Sequence, residues 1–221
     1  GLKRVRHSPQ RKMPVSWALL MYIVRQLLND GSARSLVIMV AILVGWWFLC
    51  RISEIIAFRI GNVKFYDASG DKLDIDKDDL MTAVEVDLIF GVTKNDVDGD
   101  GAIRTHSKVL SILCVVSGLA KMVTYRRDQA AKKSMNLDLM SPLFKFVDDS
   151  KDSGSEKQLT RNTIVRVLKA AASAAGIPEA KISCHSLRSG GAVAMLSVSG
   201  SSYSDVRLFG RWRSDCARIY L

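Results

Sequence analysis

Apolar residues recur at helical spacing from Val15 to Leu28, and Asn29-Asp30-Gly31 closes that stretch, so a helix is predicted there. Leu36 to Cys50 is an almost unbroken apolar run of 15 residues. That is short of the ~18–20 a membrane-spanning helix needs, so it reads as a buried core helix continuing to about Phe58, with Gly45 as its weak point. The period then changes. Val84, Val86 and Leu88 alternate with Glu85 and Asp87, as in a half-buried strand, and Val63 to Tyr66 is a candidate partner. Asp71 to Asp79 is charged and reads as a loop. Asn95-Asp96-Val97-Asp98-Gly99-Asp100-Gly101 is a strong turn signal, after which Ile103 to Ser107 could return as a strand. The expectation is a small antiparallel sheet with Lys94 close to a hairpin turn.

Helical spacing resumes from about Cys114 to Lys133, and residues 150–156 read as a polar surface loop. Thr160 is a good N-cap for a helix reaching Ala175, stopped by Gly176 and Pro178. Shorter helices are expected over 185–198, 203–209 and 214–221. No internal repeat is present. The pattern predicts one α+β domain, mainly α, with a small antiparallel sheet inserted early.

Composition adds a partner class. The formal net charge of +10 favours polyanions, nucleic acid or an anionic membrane surface, without choosing between them. Residues 1–13 hold Lys3, Arg4, Arg6, Arg11 and Lys12 with little apolar character. They read as a basic arm or linker ahead of a domain over 14–221, either a solvated tail or an arm contacting phosphates. Nothing there resembles a cleavable signal, because the basic stretch leads into Pro14. Cys50, Cys114, Cys184 and Cys216 are scattered with no CxxC pair, which suits a reducing, intracellular compartment.

Several spacings could carry chemistry. Asp96, Asp98, Asp100 and Gly101 match the first half of a calcium loop, but the last ligand position falls on Ser107 and the flanks read as strands. An acidic hairpin tip is favoured, and no metal is expected. Arg51 ends the apolar run three residues before Glu54, so on a helix the carboxylate could hold the guanidinium. His185 and Arg188 are also three apart, followed by the small residues Ser189, Gly190, Gly191 and Ala192, which permit close approach of another backbone or a ligand. The chain closes on Gly210-Arg211-Trp212, with Tyr220 eight residues beyond the tryptophan.

Taken together, two arginines, a histidine, a tryptophan N–H, a hairpin lysine and a terminal tyrosine suit metal-free attack on a phosphodiester. Arginines neutralise the non-bridging oxygens as charge builds on phosphorus, and a tyrosyl ester conserves the energy of the broken bond. The order of these residues resembles the tyrosine recombinases, also called the phage-integrase family. The resemblance is carried by Phe48-Leu49-Cys50-Arg51-Ile52-Ser53-Glu54, by Thr93-Lys94-Asn95-Asp96, by Cys184 to Ala192, and by Gly210-Arg211-Trp212 with Tyr220. The tryptophan–tyrosine spacing of eight is similar to the Crypton-like and DIRS-like recombinases of eukaryotic mobile elements.

The resemblance implies the recombinase catalytic-domain fold, with Tyr220 as nucleophile and Arg51 and Arg188 as phosphate clamps. His185 and Trp212 would hydrogen-bond the scissile phosphate, Lys94 would be the general acid, and Glu54 would support the site. Lys108, on the other side of the same turn, is the rival for the hairpin lysine. It further implies double-stranded DNA as partner, a homotetramer on DNA, no cofactor and no membrane, with a nuclear location in a eukaryote and a cytoplasmic one otherwise. The family's N-terminal DNA-clamping domain and C-terminal tail are expected to be missing from this stretch. Rival readings are a type IB topoisomerase and a DNA-binding protein whose recombinase site has decayed.

Overall fold

The computed structural model describes residues 12–91, 101–147, 155–198 and 200–212. The first helix, α1 (Trp17–Asp30), starts where the Ser16 hydroxyl accepts the Leu19 N–H and stops at Gly31, whose φ of +67° suits a left-handed cap. α2 (Ala33–Trp47) follows after the Ser32 cap and is buried almost all round from Val37 to Trp46. It is the axis of the domain, packed against α1, α4 (Val115–Ala131) and α6 (His185–Val198). Each aliphatic side chain it sinks into this core is worth about 1.5–3 kcal/mol. Among the described residues no helix is long and apolar enough to cross a membrane.

The apolar run does not break at Gly45. α2 continues to Trp47, and the chain turns at Leu49, which sits at φ +50°, before α3 (Ile52–Ala57) begins. Gly45 is instead a packing position, since a Cβ there would lie 3.0 Å from the Ile55 side chain and 3.1 Å from Leu187. Absence of a side chain lets α3 and α6 close onto α2.

The early sheet has the order β1 (Val63–Tyr66), β2 (Glu85–Phe90), β3 (Ala102–Ser107), antiparallel throughout. Val86, Leu88 and Phe90 point into the core as the alternation predicts. On β3 the faces are inverted. Arg104 and His106 stand opposite Leu88 and Val86, while Ile103 is exposed. Beyond α4 a second hairpin, β4 (Lys145–Val147) with β5 (Glu156–Gln158), flanks the stretch 150–156 expected as a surface loop and overlaps it only at Glu156. β5 is wholly polar and β4 is three residues long with Phe146 alone buried, so no apolar alternation marks them.

α5 (Arg161–Ala174) carries the expected Thr160 cap, and α7 (Tyr203–Phe209) is capped by Ser202. Ahead of α1, Met13 and Val15 donate their N–H groups to the carbonyls of Lys181 and Ser186. The segment entering the domain is thereby strapped to the loop and first turn of α6.

Candidate active site

Two helix starts make the site. Arg51 is the N-cap of α3, in extended backbone at φ −73° and ψ 150°. Glu54, three residues on, reaches back so that its Oε2 accepts the Arg51 backbone N–H at 2.6 Å while Oε1 accepts from Arg51 Nη1 at 2.9 Å. A carboxylate in the first turn satisfies an orphan N–H and suits the positive end of the helix dipole. The Glu54 side chain is only 8% exposed, and an isolated charge there would be costly.

α6 supplies the second start. Ser183 Oγ accepts the His185 N–H and Ser186 Oγ accepts the Ser183 N–H, which fixes the opening turn. Gly190 and Gly191 then let the helix press onto two backbones. A Cβ on Gly190 would lie 2.2 Å from the Val15 carbonyl oxygen, and one on Gly191 2.0 Å from that of Trp46. This contact drives Arg188 inward until its side chain is 2% exposed. Arg188 Nη2 donates to the Gly210 carbonyl, and the guanidinium lies 4.3 Å from the centre of the Trp212 ring. Among the described residues its Nε and Nη1 are buried without a hydrogen-bond partner. Burial, then the charge of Arg51, pushes its pKa down to about 10, with Glu54 opposing.

Arg51, His185 and Arg188 line one cavity of about 190 Å³, together with Cys50, Ser183 and Arg161. Burial lowers the pKa of His185, and the charges of Arg188 and Arg51 add to the effect. A neutral imidazole presents one donor and one acceptor to whatever enters. Cys50 stays a neutral thiol, its pKa pushed up to about 12 by burial. The cavity is therefore a small basic recess with two unspent arginine donors in its wall, suited to an oxyanion.

Five of the expected site residues thus meet: Arg51, Glu54, His185, Arg188 and Trp212. Lys94 and Tyr220 lie outside the described residues, as do Lys3, Arg4, Arg6 and Arg11 of the basic arm and the three aspartates of the acidic turn. Lys12 is described, and its ammonium donates to the Ala180 carbonyl at 2.6 Å. Lys108 follows the end of β3 away from the hairpin turn and donates to the Met81 carbonyl at 2.8 Å.

No protein-family model matches the chain, and no curated protein matches it in sequence. Solved structures do. A crystal structure of XerA recombinase superimposes with a TM-score of 0.56 at 15% identity, over 96% of this chain and 60% of that one. XerH site-specific recombinase bound to difH substrate, in a pre-cleavage complex, gives 0.59 at 14% identity over 97% and 52%. The XerH post-cleavage complex on palindromic difH gives 0.61 at 13% identity over 96% and 50%. The chain has the tyrosine recombinase catalytic-domain fold. It spans about half to three-fifths of the length of those structures.

Within this recombinase fold, three arginines that sequence spacing did not single out hold or line the site. Arg161 opens α5 at the cavity rim. Arg211, at φ +59°, donates from Nη2 to Glu54 Oε2 at 2.9 Å and lies 3.7 Å from the centre of the Phe90 ring. Arg104 donates from Nε to the Phe209 carbonyl at 3.1 Å and from Nη2 to the Leu208 carbonyl at 2.9 Å, satisfying the end of α7. The available signal for Arg104 was its place at an inward position of β3, where an apolar residue is the norm.

Proposed function

We propose that the chain is the catalytic domain of a site-specific DNA recombinase or integrase, which cuts and rejoins double-stranded DNA through a 3′-phosphotyrosyl intermediate. The observation that carries this is the cavity holding Arg51, His185 and Arg188, with two buried Arg188 donors unpaired. The two arginines take the non-bridging oxygens of the scissile phosphate and stabilise the charge that accumulates in the transition state. Trp212, stacked on Arg188, and His185, neutral at the rim, donate to the same group. Tyr220 attacks phosphorus through its phenolic oxygen while its proton passes to the acceptor nitrogen of His185, the 5′-oxygen leaves, and Lys94 supplies that oxygen with its proton. Reversal by a 5′-hydroxyl of another strand completes transfer, with no ATP, cofactor or metal required by the chemistry.

XerH was captured on its difH substrate, and that likeness supports duplex DNA as the partner here. By the family resemblance the working assembly is a tetramer on DNA and the source is a mobile element, while the charge of residues 1–13 supports a basic arm contacting phosphates. The location follows, nuclear in a eukaryote and cytoplasmic otherwise.

The test is covalent capture from a library of nicked duplexes without added metal. The wild-type chain is expected to form a 3′-phosphotyrosyl adduct with some members, and Tyr220→Phe to form none while still binding DNA. An adduct with Tyr220→Phe would remove the nucleophile assignment, and a wild-type chain that captures nothing would overturn the enzyme.

A further inference from the structure

Three guanidinium groups converge on one carboxylate, and they do not share it equally. Glu54 Oε1 accepts from Arg51 Nη1, while Oε2 accepts from the Arg51 backbone N–H and from Arg211 Nη2 at 2.9 Å. Arg188 Nη1 stops 4.0 Å from the same Oε2. Among the described residues Arg188, the most buried of the three, nevertheless lacks hydrogen-bond partners on two donors, Nε and Nη1, where Arg211 lacks one on Nε alone. Two buried unpaired donors are costly, and a carboxylate 4 Å away is the group that would relieve them. Something keeps Glu54 from moving across.

Arg211 is built to do so. Its left-handed backbone, the Phe90 ring beneath its guanidinium and the Phe209 carbonyl 3.4 Å from Nη1 fix the side chain, which is 14% exposed. From there it takes up the Glu54 oxygen nearest to Arg188. We propose that Arg211 is a positioning residue that occupies Glu54, so that Arg188 keeps Nε and Nη1 for the phosphate. Arg211 does not line the cavity and does not touch substrate. It also keeps the cluster electropositive, with three guanidiniums set against one carboxylate, where a closed Arg188–Glu54 pair would cancel the charge meant for the anion. This inference deepens the recombinase reading and rests on its assignment of the cavity to a phosphate group.

The experiment separates the two. Inorganic phosphate is titrated into the chain while the Arg188 side-chain Nε–H is followed by NMR, and adduct formation on the captured DNA is measured in parallel. Arg211→Met is expected to weaken phosphate binding by about tenfold or more, the worth of a charge-assisted hydrogen bond. Adding Glu54→Gln to Arg211→Met should recover most of that loss, because a neutral amide no longer draws Arg188 away. Arg211→Lys keeps a cation at Glu54 and should stay close to wild type. Where Arg211→Met does not refold, Arg211→Gln removes the same charge while keeping a donor. Unchanged phosphate binding on loss of the Arg211 charge, or no recovery with Glu54→Gln, overturns the proposal, as does a wild-type Arg188 that phosphate leaves unshifted. A wild-type chain whose Arg188 responds to phosphate but which forms no adduct overturns the recombinase reading and leaves Arg211 in its role.

Discussion

Arg188 concentrates the chemistry of the site in one side chain. Its Nη2 is used by Gly210 and its face by Trp212, while its remaining edge makes no hydrogen bond among the described residues. Only a planar fork can do all three, so Arg188→Lys is expected to lower the adduct rate by about 10²–10³, measured by gel on captured duplex. Histidines add a pH dependence. The pKa values of His106 and His185 are both lowered, chiefly by burial. Below the ordinary histidine range the unfolded chain therefore binds protons that the folded chain refuses, and stability must fall as the pH drops through about 6.5. The melting temperature should decline from pH 7 to pH 5, and His106→Phe should flatten part of that decline. Some of this was legible in sequence. Arg51 and Glu54 are three residues apart and their pairing follows from helical spacing. Arg211 and Glu54 are separated by 157 residues, and no local pattern reports that contact.

At the level of elements, periodicity read well wherever one face was apolar. α1, α4, α5, α6 and α7 lie close to where spacing and caps place them, and β1 and β2 likewise. It read poorly where a glycine had two meanings. Gly45 serves interhelical contact, and the turn falls on Leu49, whose positive φ nothing in its side chain announces. The β4–β5 hairpin was hard to read because each strand has three residues and only Phe146 is buried, with ion pairs adding to the hold. Glu156 bonds Lys133 at 2.7 Å and Lys145 at 2.6 Å, tying the hairpin to the end of α4, and those bonds hold its pKa down at about 2. A lowered carboxyl pKa gives stability that is present above the unfolded value and lost as pH falls toward the folded one, here between about 4.5 and about 2. Both pairs are partly solvated, so Glu156→Gln should cost only about 0.5–1 kcal/mol in urea unfolding at neutral pH, and less in high salt. The α6 glycines lie at the other extreme. Gly191→Ala forces a methyl against the Trp46 carbonyl and should cost about 3 kcal/mol or more, read as a large fall in melting temperature.

For the whole molecule, charge and fold say different things. The net charge of +10 predicts that DNA binding weakens steeply with salt, the slope of log K against log salt giving about 0.9 per phosphate neutralised. A fluorescence anisotropy titration at several salt concentrations checks it, and a flat profile would deny a phosphate-dominated interface. Charge alone left membranes and other polyanions open. The expectation of this architecture came from the order of four short motifs around a buried helix, and the fold itself matches XerA and XerH at 13–15% identity. Core volume and the backbone approaches at Gly190 and Gly191 constrain that arrangement far more tightly than they constrain the identity of surface residues.

The strap ahead of α1 makes the segment entering the domain part of the support beneath the candidate site. Val15 is fully buried, its N–H held by Ser186 and its carbonyl by the Trp46 indole, directly beneath Gly190. Peeling that residue away would uncover the first turn of α6 and unseat His185 and Arg188 with it. In native-state hydrogen exchange the amides of Met13 and Val15 should open together with the first turn of α6, as one cooperative unit, and not fray as chain ends usually do.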